Sequence, residues 1–264
     1  MTTIGVLGAG NMGGTLIKGW SAQKGVVIAA YDPDQARLQR LAEETGMTPH
    51  RDTASVVSES DYLLLAVKPA LLQDVLQDIA AHLQAEQCLV SVAAGVKQES
   101  IKAWSHRICP VVRVMPNTPA LVGEGVFALC TEDPGLSSEQ EQFVRGLFER
   151  MGEVHTLPEG SFDAFTALIG SGPAYVYYFL EALREAGVSL GFAREQSGRM
   201  VLSLAKGAVK MAQESDATLN ELKEMVTSPA GTTIAGVSHL DRRAVKSAVI
   251  DAVHAAWQRS KELG

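Results

Sequence analysis

Short apolar runs recur along the chain up to about residue 157: Ile4–Leu7, Val26–Tyr31, Tyr62–Val67, Cys88–Ala93, Val111–Met115 and Val126–Cys130. Several are apolar at every position rather than at alternate ones, which is the pattern of strands covered on both faces. Between the early runs lie Thr15–Trp20, Asp34–Glu44 and Ala70–Leu83, with helical character. Strand and helix alternating in this way predict an α/β fold with a parallel, doubly wound sheet. After Pro158 the pattern changes. From Ser161 onward no strand pattern remains, and helical stretches follow at Ala174–Ala186, Arg194–Gln213, Leu219–Val226 and Arg242–Leu263. Thr218 and Glu221 have the spacing of a capping box, which supports a helix start there. The division expected from the pattern is residues 1–158 and residues 159–264, the second part all-helical.

The stretch from Ala174 to Leu180 is apolar or aromatic nearly all round. A helix of that kind must be covered on most sides. Two readings stay open: a central core helix, or a subunit interface, since a small helical domain has little with which to surround it.

Composition narrows the function classes. Of 264 residues 46% are hydrophobic and 20% charged, enough apolar material for a substantial core. A net charge of −7 argues against a nucleic-acid partner, which requires a basic face. The opening MTTIGVLGAG lacks the basic start and cleavage site of a secretion signal, and no run approaches the roughly 18 apolar residues of a membrane span. The expectation is a cytoplasmic protein with no membrane partner. Cys88, Cys109 and Cys130, an odd number, read as reduced, buried thiols. No C-x-x-C or H-E-x-x-H occurs, so no protein-held metal is expected.

The first candidate chemistry follows the first apolar run. Gly8-Ala9-Gly10-Asn11-Met12-Gly13 fits G-x-G-x-x-G directly after Leu7 and before a helical segment. In that context Gly8 permits a tight turn, Gly10 lets the backbone approach a pyrophosphate, and Gly13 lets the helix pack close to the strand. The helix start then offers N–H groups and a positive dipole end to the phosphates. This makes residues 1–158 a Rossmann-like, dinucleotide-binding domain. Asp32 closes the second run, 19 positions after Gly13, where an acidic residue accepts hydrogen bonds from the adenosine ribose. A carboxylate there repels a 2′-phosphate and leans to NADH over NADPH. Arg37, one helical turn on, could hold such a phosphate and weakens that preference. Ala66-Val67-Lys68-Pro69 and Ala93-Ala94-Gly95 close the third and fourth runs and would border the same crevice, the small residues leaving room for the cofactor.

Two later segments look unlike packing. Arg113-Val-Met-Pro-Asn-Thr-Pro-Ala120 runs a strand end into a proline-bracketed loop that includes Asn117. Val226-Thr-Ser-Pro-Ala-Gly-Thr-Thr-Ile234 is a hydroxyl- and glycine-rich loop opening a helix. Ser228, Gly231, Thr232 and Thr233 could present backbone N–H groups and hydroxyls to a substrate carboxylate; a plain helix cap is the simpler reading, because Ser and Thr are favoured at helix starts.

Together these segments resemble the pyrroline-5-carboxylate reductase family over essentially the whole chain. The resemblance rests on Gly8–Gly13, Ala66–Pro69, Ala93–Gly95, Met115-Pro-Asn-Thr-Pro119, Gly170-Ser-Gly-Pro-Ala-Tyr175 and Ser228-Pro-Ala-Gly-Thr-Thr233. It implies a Rossmann domain followed by a helical dimerisation and substrate domain, a homodimer often assembled into a decamer, and the last step of proline biosynthesis. It also implies NADPH as the usual cofactor, against the lean of Asp32. In the family, counterparts of Ser228 through Thr233 hold the substrate, its carboxylate on backbone N–H groups and its ring nitrogen near the Thr233 hydroxyl. The loop carrying Asn117 is similar to the one beside the nicotinamide. One departure concerns the substrate loop, where the family usually has glycine at the position of Ala230. A methyl group is tolerated there if the backbone φ is negative.

The reaction so implied is hydride transfer to a cyclic imine, which asks mainly for positioning and has no evident need of a His–Asp or Lys base. Two other readings compete: a 3-hydroxyacid dehydrogenase of the same plan, which needs a catalytic lysine on the first long helix of the second domain, and a nucleotide-binding paralogue without turnover, which would show an eroded substrate loop.

Overall fold

The alternation read from the sequence becomes one eight-stranded sheet in the computed structural model, which describes residues 1–263. In chain order the first part comprises β1 (Thr2–Leu7), α1 (Asn11–Ser21), β2 (Val26–Tyr31), α2 (Gln35–Thr45), β3 (Thr48–Pro49), α3 (Thr53–Ser58), β4 (Tyr62–Leu65), α4 (Pro69–Ile79), β5 (Cys88–Ser91), α5 (Gln98–Trp104), β6 (Val111–Met115), β7 (Gly125–Cys130), α6 (Ser138–Glu149) and β8 (Gly152–Thr156). The strand order is β3-β2-β1-β4-β5-β6-β7-β8. All neighbours are parallel except β6 and β7, which run antiparallel.

The uninterrupted apolar runs have a direct cause. Ile4 and Val6 of β1 and Tyr62 and Leu64 of β4 face a core built with Leu16, Ile17 and Trp20 of α1 and Val144, Leu147 and Phe148 of α6. Their neighbours Leu7, Leu63 and Leu65 face a second core with Val56 and Val57 of α3, Leu72 and Leu76 of α4 and Ile101 of α5. β1 and β4 are thus buried on both faces, so no polar alternation survives in their sequence. Trp20 is pinned in the first core by its indole N–H, which donates to the Leu147 carbonyl at 3.1 Å, and by an edge-on contact with Phe148 at 5.3 Å.

The remaining helices are α7 (Phe162–Phe165), a π turn over Thr166–Gly170, α8 (Gly172–Ser189), α9 (Arg194–Glu214), α10 (Leu219–Met225), α11 (Thr232–Arg242) and α12 (Val245–Leu263). The capping box of Thr218 and Glu221 is present at the start of α10. Two compact units result: Met1–Ser171 with the chain from Ala256 onward, and Gly172–Ala255. The strand pattern ends near residue 158; by contacts the first unit runs on to Ser171.

Several expectations need correction. The helix expected over Arg242–Leu263 is present as α12 but starts three residues later, at Val245, because Arg242 ends α11 and Ala244 takes a φ of 53° between the two. β3 and β8 were not anticipated, being a two-residue pair and a half-exposed polar edge. Nor were the short helices α3 and α5, or α6 with its Ser137–Gln140 capping box. α8 is not a core helix: it buries no residue, and Tyr177 and Tyr178 are 62% and 72% exposed. No helix among the described residues is long and apolar enough to cross a membrane.

All three cysteines are free and buried, as read from the sequence. Burial pushes the Cys130 thiol up to about 11 and the Cys109 thiol up to about 12, and it raises Cys88 further still. A thiol reacts as its thiolate. The native protein is therefore expected to react with a thiol reagent at pH 8 at least 100-fold more slowly than the protein in denaturant, where all three should titrate. Rapid labelling of the native state would contradict the buried placement.

Candidate active site

The carboxyl ends of the parallel strands β2, β1, β4, β5 and β6 lie side by side along one edge of the sheet. That register brings together segments far apart in sequence. Leu7 ends β1, and the turn Gly8-Ala9-Gly10 leads into α1, whose first residues are Asn11, Met12 and Gly13. Gly8 has φ 100°, a left-handed angle suited to glycine, and its N–H donates to the Tyr31 carbonyl at 2.9 Å. A methyl group on Gly13 would overlap the Gly8 carbonyl oxygen, so helix and turn are in van der Waals contact there. Gly10 differs. It is the N-cap of α1, no side chain caps the helix, and nothing lies within 4 Å of where its Cβ would be. An open space in front of an uncapped helix start fits a pyrophosphate.

Asp32 is placed differently from a free ribose acceptor. It is only 5% exposed, with Oδ2 accepting the Ala9 N–H at 2.7 Å and Oδ1 the Asp34 N–H at 2.8 Å. The carboxylate therefore clamps the glycine turn to the end of β2. Nothing local in the sequence signals a bond between positions 23 apart. Asp34 caps α2, accepting the Arg37 N–H at 2.9 Å, and Arg37 ion-pairs with Asp34 at 3.0 Å while its Nη1 stands 3.8 Å from Asp32.

Ala66 and Val67 follow β4 and are half-buried, Lys68 is exposed at the N-cap of α4, and Pro69 occupies its first turn. Ala93, buried, Ala94, exposed, and Gly95 follow β5. Asn117, just past β6, is buried, with Oδ1 accepting the Val126 N–H at 2.9 Å and Nδ2 donating to the Ile169 carbonyl at 3.5 Å. These two bonds tie the loop to β7 and to the π turn.

The other segment lies in the second unit. Ser228-Pro229-Ala230-Gly231 is a β-turn closed by the Gly231 N–H on the Ser228 carbonyl at 3.1 Å. Pro229 and Ala230 stand at its two central positions, and Ala230 has φ 58°. A proline followed by a positive φ is the pattern of a type II turn. The condition of a negative φ under which a methyl is harmless is thus not met. Gly231 is the N-cap of α11, again without a side-chain cap, and Thr232 and Thr233 form its first turn. Among the described residues the Ser228, Thr232 and Thr233 hydroxyls make no hydrogen bond. Helix start and hydroxyls together can hold a carboxylate and one further polar atom.

The left-handed angle costs alanine about 1 kcal/mol relative to glycine, while glycine loses a similar amount through its freer unfolded chain. Ala230→Gly is accordingly expected to change unfolding free energy by less than about 1 kcal/mol. Ala230→Val, β-branched at the same φ, should melt at lower temperature and lose activity. Thermal melts and initial rates of both variants check this; a Val variant equal to wild type would show that the turn has another conformation.

Comparison with known proteins bears on both segments. The family of pyrroline-5-carboxylate reductase dimerisation domains matches residues 159–263, and that of coenzyme F420-dependent NADP oxidoreductases matches residues 3–95. Pyrroline-5-carboxylate reductase of Pseudomonas aeruginosa is 38% identical over 98% of this chain and 96% of its own length. That of Methanosarcina acetivorans is 38% identical over 99% and 97%. The crystal structure of Plasmodium falciparum pyrroline carboxylate reductase with NADP bound superposes with a TM-score of 0.91 at 32% identity, over 100% of this chain and 98% of that one. A 3-hydroxyisobutyrate dehydrogenase of Mycobacterium tuberculosis, at 16% identity and TM-score 0.53 over 99% and 92% of the chains, shares the fold alone.

Proposed function

From the premise that this chain belongs to the pyrroline-5-carboxylate reductase family and reduces pyrroline-5-carboxylate to proline with NAD(P)H, we propose roles for its residues. The observation that carries them is the pair of uncapped helix starts: α1 behind an open Gly10, and α11 behind the Ser228–Gly231 turn. The first would hold the dinucleotide, with Leu7 through Gly13, Ala66–Pro69, Ala93–Gly95 and the Asn117 loop around it. The second would hold the substrate.

A bound nicotinamide supplies hydride to the imine carbon, and the protonated imine nitrogen becomes the secondary amine. The protein has to place the two reactants and do little proton transfer. Backbone N–H groups at Thr232 and Thr233 take the carboxylate, and the Thr233 hydroxyl holds the ring nitrogen. α8 carries no lysine, which a 3-hydroxyacid dehydrogenase needs, and the substrate loop keeps every residue that a non-catalytic paralogue would have lost. Residues 159–264 serve as dimerisation and substrate domain. The exposed aromatic face of α8 supports a homodimer, and light scattering distinguishes dimer from decamer.

For the cofactor we infer a preference for NADH. Two carboxylates, Asp32 and Asp34, stand at the end of β2; Arg37 is already paired with Asp34 at 3.0 Å, and Arg40 acts on Asp34 only through its charge, without an ion-pair contact. A 2′-phosphate brought there meets the Asp32 and Asp34 carboxylates with Arg37 already engaged. Purified protein mixed with pyrroline-5-carboxylate should oxidise NADH with a kcat/KM about tenfold above that for NADPH, about 1.4 kcal/mol. Preference for NADPH would overturn the role given to the two aspartates, and oxidation of neither would overturn the function.

A further inference from the structure

Arg113 belongs to a segment that looked unlike packing, yet the reaction has no use for it. It projects from β6 into a cavity of about 400 Å³ within the first unit, lined also by Gly95, Lys97, Glu159, Asp163 and Lys261. Its side chain is nearly buried, with the guanidinium over the Phe162 ring at 4.6 Å. Of the five N–H donors of a guanidinium, one is spent: Nη1 donates to Glu159 Oε1 at 3.2 Å. No Arg113 nitrogen is both buried and unpartnered, so the remaining donors open on the cavity.

The two carboxylates are partly engaged elsewhere. Glu159 Oε1 also accepts the Gln98 N–H at 2.6 Å, and Asp163 accepts the Ser260 hydroxyl at 2.7 Å. Among the described residues neither lysine has a carboxylate partner; Lys97 is exposed and Lys261 lies over the Trp257 ring at 3.4 Å. Three cations against two carboxylates leave the cavity formally positive in a chain of net charge −7. A guanidinium with donors to spare, flanked by two ammonium groups, matches the planar or tetrahedral oxygens of a carboxylate or phosphate.

We propose that this cavity is a second ligand site, binding a small oxyanion of the phosphate or carboxylate class between Arg113, Lys97 and Lys261. It shares Gly95 with the segments placed around the dinucleotide, and none of its lining residues with the glycine turn or the Ser228–Thr233 loop. The test titrates inorganic phosphate, and malonate in a parallel arm, into the full chain by calorimetry at constant ionic strength with saturating NADH, so that the dinucleotide crevice is filled. Saturable binding is expected. The double variant Lys97→Gln/Lys261→Gln, altered only at exposed positions, should keep its melting temperature and lose at least tenfold in affinity, about 1.4 kcal/mol. Arg113→Gln should abolish binding. The anion that binds more tightly identifies the class. Equal affinity in wild type and the lysine double variant, or no saturation with either anion, overturns the proposal.

Discussion

Thr233→Ala is expected to lower kcat about 100-fold while leaving the dissociation constant for NADH within twofold. Removing one preorganised donor at a reacting centre typically costs 10²- to 10³-fold, about 2.7 kcal/mol at the lower end. The structure explains why the loss should stay local. Thr233 lies in the first turn of α11, its hydroxyl makes no hydrogen bond within the described protein, and no buried residue of α11 depends on it. The variant should thus fold and melt like wild type. Thr233→Ser, which keeps the hydroxyl, should recover most of the turnover. Steady-state rates with pyrroline-5-carboxylate and a fluorescence titration of NADH separate the two effects. Unchanged turnover in the alanine variant would remove Thr233 from the mechanism.

The larger effect on cofactor binding is expected from Gly13→Ala. Its methyl would overlap the Gly8 carbonyl oxygen and stand 3.1 Å from the Ala66 Cβ. α1 cannot retreat, because Leu16, Ile17 and Trp20 on its inner face are buried and Trp20 is hydrogen-bonded to Leu147. The turn must deform instead. Overpacking of this kind costs about 1–3 kcal/mol of stability. NADH affinity should fall at least 100-fold, about 2.7 kcal/mol, because the donors facing the phosphates move with the turn. Gly10→Ala makes the contrast: nothing lies within 4 Å of the new methyl, so stability should hold while the methyl enters the ligand's space. Urea melts and NADH titrations of both variants test the pair. A Gly13→Ala protein with normal affinity would refute the tight packing of helix on turn.

Much of the first unit was legible because its strands are buried on both faces, which leaves runs such as Tyr62–Leu65 apolar throughout. β8 escaped because at the sheet edge it is half-exposed and polar, with His155 and Thr156 reading as loop. The reversal of β7 against β6 leaves no periodic trace, since an antiparallel strand buried on both faces reads like a parallel one. Beyond residue 172, α8, α9, α10 and α12 were visible from their spacing, but the start of α12 at Val245 was not, since Ala244 is an ordinary helix former that here takes a φ of 53°. At the site, the glycine turn and the hydroxyl loop were readable as residue types. The conformation of Ala230 and the internal use of Asp32 and Asn117 were not, since each depends on partners distant in sequence or on a backbone angle.

The assignment of the chain from Ala256 onward to the first unit bears on how the protein is made. Ser260, buried, bonds Asp163 across 97 positions, and everything between them must be synthesised first. A nascent chain released from the ribosome in order can build the sheet early, since β1 through β8 are complete by Thr156. The surface that receives the end of α12 then stays uncovered through translation of the entire helical unit, and the Rossmann portion gains these contacts only after that unit has been made.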